Sequence, residues 1–436
     1  MIGYALFYFV RKNFSMAMPG MNADLGISKV SLGIFLTLNG LVYGFSRFLN
    51  GIFADRLNAR FYMATGLALC AIANIAFGFG EDISSWITGE TSGSSFTNVL
   101  VLFMGIMLVV NSLLQGSGFP PCARLLTHWI PPKELATKMS VWNTSHSIGA
   151  GLVVILCGYI MSNMGVGATH VGAWKWCFWI PAGIALAGSI FLFLFLRDTP
   201  SSVGLSELPG TEVKLTKQKT KSAESRAFLR EKVFANPLIW ILGFANFFVY
   251  VCRFSVLDWG PMLLKQSKNV SLENAGWLVA LFEIAGIAGM LVAGWATDRY
   301  FKGRAHRTCV FCMLGAMLFM FFFWQLPSDA PMAMLFATLC AAGFFIYGPQ
   351  ALIGIAAANQ ATKKAAATAN GLTGIFGYAS TAVSGIGLGY VAQHYGWNLV
   401  YIIIIAMALL GMGVFLLMWN AKATGYEEQL IMKNEK

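Results

Sequence analysis

Two arginines lie inside long apolar stretches of the chain, where a charge is costly and is usually retained for function. Arg253 follows Pro237 by 16 residues and precedes Lys265 by 12, so a helix would place it near the middle of a membrane. Arg11 lies in a similar stretch over residues 1–20. Guanidinium groups bind phosphate oxygens through two parallel hydrogen bonds. The pair therefore predicts a cavity for a phosphorylated or polycarboxylate anion, unless each arginine extends to the membrane surface.

The apolar stretches also contain a lysine and two carboxylates. Lys12 directly follows Arg11 and lies about 100° from it around a helix, so the two cations face different directions. We expect Lys12 to form a structural ion pair with Asp258 or Glu283 rather than to touch substrate. The arginines would then face a cavity with few counter-charges, where a bound anion relieves their mutual repulsion.

Three more polar side chains are candidate substrate contacts. His146 lies about 16 Å along its predicted helix, close in sequence to Asn143. An imidazole ordinarily titrates near the second pKa of phosphate, about 6, so we predict that His146 and Asn143 contact substrate; a packing role for His146 stays open. Arg47 lies eight residues before Asp55, about 12 Å inside the membrane. It is either a third anion contact or a group that extends to the surface.

Tyrosine hydroxyls within the apolar spans are neutral donors for phosphate oxygens. The five candidates are Tyr4, Tyr8, Tyr43, Tyr347 and Tyr378. Any one of them can instead pack in the core or lie at the membrane interface. The chain has no nucleophile–base pair, phosphate-binding loop or dinucleotide motif. Cys309-x-x-Cys312 lacks a second cysteine pair, which favours packing over metal binding. We therefore expect no enzyme, no cofactor and no metal site.

The composition indicates what kind of protein must hold these residues. Of 436 residues, 57% are hydrophobic and 11% are charged, whereas soluble proteins carry about 25% charged residues. The apolar runs are long and continuous, which is typical of membrane helices and not of alternating barrel strands. The chain is therefore predicted to be an all-α polytopic membrane protein. Its net charge of +11 fits lysines and arginines gathered on one side of a membrane, so we expect no nucleic-acid partner.

Twelve membrane spans are predicted from the apolar runs. They cover about residues 1–20, 31–54, 61–80, 97–122, 135–163, 175–196, 237–263, 273–297, 308–326, 331–358, 365–392 and 397–419. Of the 30 lysines and arginines, 22 lie in or at the ends of connections on one side and four on the other. By the positive-inside rule, both termini are predicted to be cytoplasmic in a multi-pass protein of the inner (plasma) membrane.

The connections also predict the division of the chain. We expect an N-terminal six-helix half over residues 1–196, a cytoplasmic linker over 197–236, a C-terminal six-helix half over 237–420 and a cytoplasmic tail over 421–436. The linker region is rich in lysine, serine and glutamate and contains Pro200 and Pro209. Such a composition is typical of a flexible connection between two packed bodies.

Two short motifs occur once in each predicted half. They are Tyr8-x-x-Arg11 with Tyr250-x-x-Arg253, and Gly51-x-x-x-Asp55-Arg56 with Gly294-x-x-x-Asp298-Arg299. The arginine of the first motif precedes the aspartate of the second by 44 residues in one half and 45 in the other. The halves are thus predicted to be parallel repeats, as in the major facilitator fold, with the ligand site at their interface. The Asp–Arg pairs are expected to be structural or gating charges, because ordinary positive-inside loops would explain only the arginines.

These residues resemble the organophosphate:phosphate antiporters from Gly3 to about Trp419. The matching segments include Gly3-Tyr4-x-x-x-Tyr8-x-x-Arg11-Lys12-Asn13-Phe14, Tyr43-Gly-Phe-Ser-Arg47-Phe, Pro120-Pro121-Cys122, Val141-Trp142-Asn143, Leu257-Asp258-Trp259 and Tyr347-Gly348-Pro349. The resemblance implies that Arg11 and Arg253 bind phosphate and that His146 binds substrate. It also implies that the first helix begins before Met1. The family usually has lysine at the position of Arg47, so the charge is kept but the geometry differs.

The resemblance implies exchange of external glycerol 3-phosphate for internal inorganic phosphate by alternating access. Hexose-phosphate carriers of the family have a charged pair in a region that is uncharged here, residues 368–384. A hexose-phosphate antiporter and a transporter-like sugar-phosphate sensor remain alternatives, and an unrelated anion symporter fits the fold but not the motifs. The expected partners are a small organophosphate, inorganic phosphate and the lipid bilayer, with the protein as a monomer.

Overall fold

The computed structural model describes residues 1–54, 57–130, 132–167, 170–206, 230–361 and 366–421. Nearly all of these residues form helices, and an isolated β-bridge pairs Val166 with Val171. Within the described ranges, ten helices are long and apolar enough to cross a membrane. Helices suit that environment because they satisfy their backbone hydrogen bonds internally.

The helices are numbered in chain order. They are α1 (Ile2–Phe9), α2 (Asn13–Leu25), α3 (Lys29–Ala54), α4 (Ala59–Gly78), α5 (Gly80–Thr88), α6 (Ser94–Gln115), α7 (Phe119–Trp129), α8 (Pro132–Asn163), α9 (Ala173–Phe195), α10 (Pro237–Lys268), α11 (Leu272–Phe301), α12 (Ala305–Gln325), α13 (Met332–Ala361), α14 (Ala366–Ala379), α15 (Leu388–His394) and α16 (Trp397–Leu417). Short 3-10 or π-helical turns cover Pro200–Val203, Arg230–Phe234 and Val383–Gly387.

Ten of the twelve predicted spans coincide with the apolar helices of sufficient length. The other two are residues 1–20 and 31–54. The second of these is α3, a single helix of 26 residues with the polar residues Asn39, Ser46 and Asn50 within it. The first is not one helix, because α1 ends at Phe9 and α2 begins at Asn13.

The expectation of a continuous first helix is therefore wrong. The break covers Val10, Arg11 and Lys12, whose conformation is that of a turn. The amides of Arg11 and Lys12 both donate to the carbonyl of Tyr8, at 3.2 and 2.9 Å. The Val10 carbonyl instead accepts hydrogen bonds from side-chain amides of other helices. These side chains replace the helical bonds that the break removes.

The chain forms two compact units, of which the first comprises Met1–Val213 and Asp258–Ala280. In this unit α4 packs against α6 and α9, and α1 packs against α8 and α9. The approach of α1 to α8 is close, since a Cβ added at Gly149 would lie 2.8 Å from the Cα atom of Ala5. A glycine at this point therefore lets the backbones of α1 and α8 come close together.

The second unit comprises Lys214–Leu257 and Leu281–Lys436. Here α12 packs against α13 and α16, and α13 packs against α14. The N-terminal part of α10 is tied to this unit by Asn246, whose Nδ2 donates to the carbonyl of Thr373 at 2.8 Å. The division into halves, linker and tail drawn from the sequence stays a prediction, and much of the predicted linker lies outside the described residues.

Candidate functional site

Arg11 lies in the break between α1 and α2 and is half-buried. Its guanidinium carbon Cζ is 3.5 Å from the centroid of the Tyr43 ring and 5.6 Å from that of Tyr8. A cation over an aromatic face is attracted by the ring quadrupole, and more strongly where water is scarce. Tyr43 is buried, so its ring offers a fixed surface for the guanidinium. The in-plane N–H groups are the part of arginine that binds phosphate.

Lys12, the next residue, forms an ion pair with Asp258. The distance from Lys12 Nζ to Asp258 Oδ1 is 2.9 Å, and the two side chains are 15% and 14% exposed. Of the two carboxylates that the sequence left open, the structure thus selects Asp258. The positive charge of Lys12 is cancelled by the negative charge of Asp258. A lysine held in this way is not available as an anion ligand.

Arg253 is buried in the continuous helix α10 and lies beside Glu283 of α11. The distance from Arg253 Nη2 to Glu283 Oε1 is 3.5 Å, longer than a charge-assisted hydrogen bond of about 2.7–2.9 Å. Arg253 therefore has a counter-charge, Glu283, which the sequence had indicated only as a partner for Lys12. Arg253 Nε and Glu283 Oε2 make no hydrogen bond within the described part of the chain. The pair is close enough to compensate charge but is not a tight two-pronged contact.

Tyr347 packs beside this pair and is fully buried. Its ring centroid is 4.7 Å from Arg253 Cζ and 5.8 Å from the ring of Phe282. Gly286 makes room for the ring, since a Cβ at that position would lie 2.5 Å from Tyr347 Cδ2. Each of the two predicted phosphate-binding arginines thus lies over a buried tyrosine that the sequence had singled out.

Tyr8 and His146 join the neighbourhood of Arg11. The ring centroids of Tyr8 and His146 are 5.8 Å apart, and His146 Nε2 lies 3.2 Å from Ser147 Oγ. Tyr8 therefore contacts both the arginine and the histidine. Within the first unit, the structure brings together Arg11, Tyr8, Tyr43 and His146, as a common site for one anion requires.

Tyr4 is in a different environment from the other candidates. Its ring stacks on Trp142 with centroids 4.9 Å apart and is buried. Its hydroxyl lies 3.5 Å from that of Tyr8. This position favours a packing role, in which Tyr4 supports Tyr8 from behind. Tyr378 is half-buried and its ring lies 6.5 Å from that of Tyr250.

The remaining predicted residues divide into two groups. Asp298 and Arg299 are exposed and belong to the last turns of α11, so this copy of the motif lies within a helix. The other predicted residues lie outside the described residues; these are Asp55, Arg56 and the side chains of Arg47 and Asn143. No group of three or more metal-binding side chains occurs in the part of the chain that the structure describes.

Sequence reasoning missed a set of buried amide side chains around the break in the first span. They are Asn13, Asn74, Asn111 and Gln115. The available signal was the presence of amides inside apolar spans, where an unsatisfied polar group is costly. Three of them donate to the Val10 carbonyl. That acceptor was not predictable, because the carbonyl lacks a backbone partner only where the helix is broken.

Comparison with known proteins gives a family and several relatives. The family model described as Major Facilitator Superfamily matches residues 1–385 and 260–429. The chain is 38% identical over 425 residues to the "Glycerol-3-phosphate transporter" of Bacillus subtilis, covering 96% of this chain and 90% of that protein. It is 39% identical over 432 residues to the "Probable hexose phosphate transport protein" of Chlamydia muridarum, covering 96% and 89%.

A third relative has a different role, and a solved structure shares the fold. The chain is 34% identical over 409 residues to the "Membrane sensor protein UhpC" of Escherichia coli, covering 92% of this chain and 87% of that protein. A crystal structure of a bacterial homologue of the human lysosomal transporter Spinster matches with a TM-score of 0.72 at 14% identity. That match covers 97% of this chain and 96% of the other, and it bears on the fold alone.

Proposed function

Because this chain belongs to the Major Facilitator Superfamily, we propose that it exchanges external glycerol 3-phosphate for internal inorganic phosphate. The predicted fold and the resemblance to organophosphate carriers are confirmed, and the chain is a multi-pass membrane transporter rather than an enzyme. The observation that carries the proposal is the pair of arginines within apolar spans, each lying over a buried tyrosine. Such groups suit the phosphate moiety that both exchanged anions share.

In this proposal Arg11 and Arg253 bind the phosphate group through their in-plane N–H groups. Tyr8 and Tyr43 hold Arg11 in place by cation–π contacts, and Tyr347 holds Arg253 in the same way. Glu283 competes with the anion for Arg253, which keeps phosphate binding reversible. A carrier needs this balance, because an anion held too tightly is not released on the other side.

Exchange rather than one-way transport follows from the charge of the spans. The predicted spans contain the cations Arg11, Lys12, Arg47 and Arg253, against the carboxylates Asp258 and Glu283. Closing an empty cavity would bury excess positive charge away from water, which is costly. Divalent phosphate and a phosphate ester each cancel that excess. The loaded carrier should therefore switch faster than the empty one, with His146 selecting the protonation state of the anion.

The test is uptake of labelled glycerol 3-phosphate into proteoliposomes with and without internal phosphate, at a fixed membrane potential. We expect rapid uptake only with internal phosphate, and much slower but measurable uptake in the Arg11→Lys variant. Equal uptake in both kinds of vesicle would rule out obligatory exchange. Binding of glycerol 3-phosphate without any uptake would rule out transport.

Two alternatives are favoured by relatives of comparable similarity. The Chlamydia muridarum protein supports hexose phosphate as substrate, and the Escherichia coli membrane sensor protein supports a sensor role. Competition between glycerol 3-phosphate and glucose 6-phosphate in the same vesicles separates the two substrates.

We further propose the plasma membrane as the location, with cytoplasmic termini and a monomeric protein. Labelling of cysteines introduced at the termini, from either side of the membrane, tests the orientation.

A further inference from the structure

The carbonyl of Val10, in the break before Arg11, is surrounded by side-chain amides. It accepts from Nδ2 of Asn74 at 3.0 Å and from Nδ2 of Asn111 at 2.9 Å. Nε2 of Gln115 lies 3.4 Å from the same oxygen and donates to the Phe7 carbonyl at 3.0 Å. In a continuous helix the Val10 carbonyl would accept from the backbone four residues later. Donors from α4 and α6 now fill that role.

The same amides also fix the far side of the break. Nδ2 of Asn13, the first residue of α2, donates to Asn74 Oδ1 at 2.9 Å and to the Cys177 carbonyl at 3.0 Å. Asn74 therefore holds both ends of the three-residue break that carries Arg11. The four amides are at most 8% exposed. In such a low-dielectric place a hydrogen bond is electrostatically stronger than at a surface, so each bond contributes more.

The space beside these amides is too small for a substrate. A cavity of about 20 Å³ lies against the break and is lined by Arg11, Asn13, Asn39, Asn74 and Asn111, among others. A water molecule needs about 10–15 Å³ on the same scale, so the cavity has room for about one water and not for a phosphate ester. The amides therefore do not contact an anion in this structure, and they act through the turn that they hold at Val10, which carries Arg11.

The second copy of the motif is built differently. Arg253 belongs to a helix that runs without interruption from Pro237 to Lys268. It is constrained through its side chain, by Glu283 and Tyr347, rather than through a clamped backbone turn. The amides of Asn74, Asn111 and Gln115, here called the amide clamp, are thus a feature of the first copy, and the sequence repeat alone does not require them.

We propose that Asn74, Asn111 and Gln115 are positioning residues for Arg11. By holding the Val10 carbonyl, they set the direction in which the Arg11 side chain leaves the backbone, and so the affinity for the phosphate group. This inference rests on the proposed function of Arg11. Loss of a clamp residue should raise the KM for both exchanged anions together while leaving the maximal rate nearly unchanged.

A double-mutant cycle between Asn111→Leu and Arg11→Lys tests the proposal in the full-length protein. The readouts are the KM and maximal rate of phosphate exchange in proteoliposomes, together with equilibrium binding of inorganic phosphate. We expect Asn111→Leu to raise KM about tenfold alone, but less than about twofold when Arg11 is already lysine. Residues that act through one shared contact are non-additive in this way. Independent, multiplying effects would overturn the proposal.

Asn246→Leu is the matched control. Asn246 is 5% exposed and Asn111 is 8% exposed, and both donate from Nδ2 to a backbone carbonyl, at 2.8 and 2.9 Å. Asn246→Leu should reduce the folded yield without changing KM. If it raised KM as much as Asn111→Leu does, the positioning role would be overturned. If Asn111→Leu does not fold, Gln115→Met removes the third donor and enters the same cycle. If Arg11→Lys alone leaves phosphate binding unchanged, the proposed function of Arg11 fails and the positioning role fails with it. If Arg11→Lys weakens binding but the two changes multiply, only the positioning role fails.

Discussion

The guanidinium carbon of Arg11 lies 3.5 Å from the centroid of the Tyr43 ring. In the second unit, Arg253 lies over Tyr347 with a corresponding distance of 4.7 Å. In both places a buried aromatic face carries an arginine whose N–H edges are suited to phosphate oxygens. The two arginines differ in their other partners, since Arg253 also has Glu283 beside it. These relationships lead to five measurable expectations.

Tyr43→Leu should weaken anion binding, whereas Tyr43→Phe should leave it nearly intact. The ring rather than the hydroxyl carries the contact with Arg11, and a cation–π contact contributes about 0.5–2 kcal/mol. That range corresponds to a rise of about 2- to 30-fold in KM for glycerol 3-phosphate. Uptake kinetics in phosphate-loaded proteoliposomes measure it. A larger defect in Tyr43→Phe than in Tyr43→Leu would show that the hydroxyl is the important group.

Arg253→Lys should lower kcat/KM by roughly 10- to 150-fold. Lysine keeps the charge but loses the two-pronged contact, and a hydrogen bond to a charged group contributes about 1.5–3 kcal/mol. Arg230→Lys is the control, because Arg230 is exposed and the chemical change is the same. Exchange at a wild-type rate in Arg253→Lys would reject the bidentate contact.

Lys12→Met should destabilise the protein strongly because it leaves Asp258 as a mostly buried, unpaired charge. Removing one partner of a buried pair costs about 3–5 kcal/mol, and the double change Lys12→Met with Asp258→Leu should cost less than the single one. Lys232 and Glu231 form a pair at the same 2.9 Å, but their side chains are 41% and 70% exposed. Lys232→Met should therefore change stability by only about 0–1 kcal/mol. Thermal unfolding in detergent compares them, and equal losses would contradict the structural role of Lys12.

Glu283→Gln should increase the affinity for phosphate and slow exchange. Without the carboxylate, Arg253 no longer has a competing partner, so the anion binds more tightly and is released more slowly. Glu273→Gln, near the exposed start of the same helix, should change neither quantity. Separate measurements of phosphate affinity and of exchange rate should show that the affinity rises and the rate falls. Weaker binding in Glu283→Gln would mean that the carboxylate orients Arg253 rather than competing with the anion.

Gly286→Ala should impair both stability and anion affinity. The added Cβ would lie 2.5 Å from Cδ2 and 2.8 Å from Cδ1 of Tyr347, so the ring beneath Arg253 must move. Overpacking of a filled core typically costs 1–3 kcal/mol. Gly413→Ala is the matched control, because nothing lies within 4 Å of a Cβ at that helical position. Unfolding temperatures and the KM for phosphate should change only in the first variant.

The pairing of the buried charges shows where sequence reasoning ended. The sequence predicted that Lys12 pairs with a carboxylate in an apolar span, because an isolated charge there is costly. It left Asp258 and Glu283 as equal candidates. Helical geometry predicts how deep a residue lies in the membrane and which side of its helix it faces, but not which residue of another helix it contacts. The structure assigns Asp258 to Lys12 and Glu283 to Arg253.

The sequence was enough to predict the membrane spans, the two arginines within them and the family motifs, because these features depend on local composition and short spacings. A hydrocarbon environment makes apolar runs into helices with few alternatives. The break at Arg11 was not readable, since the local pattern fits one continuous helix. It depends on Asn74, Asn111 and Gln115, which lie more than 60 positions away and meet Val10 only after the helices pack. Tertiary structure alone decides where such distant donors converge, because a backbone carbonyl inside a membrane takes whichever partner the packing provides.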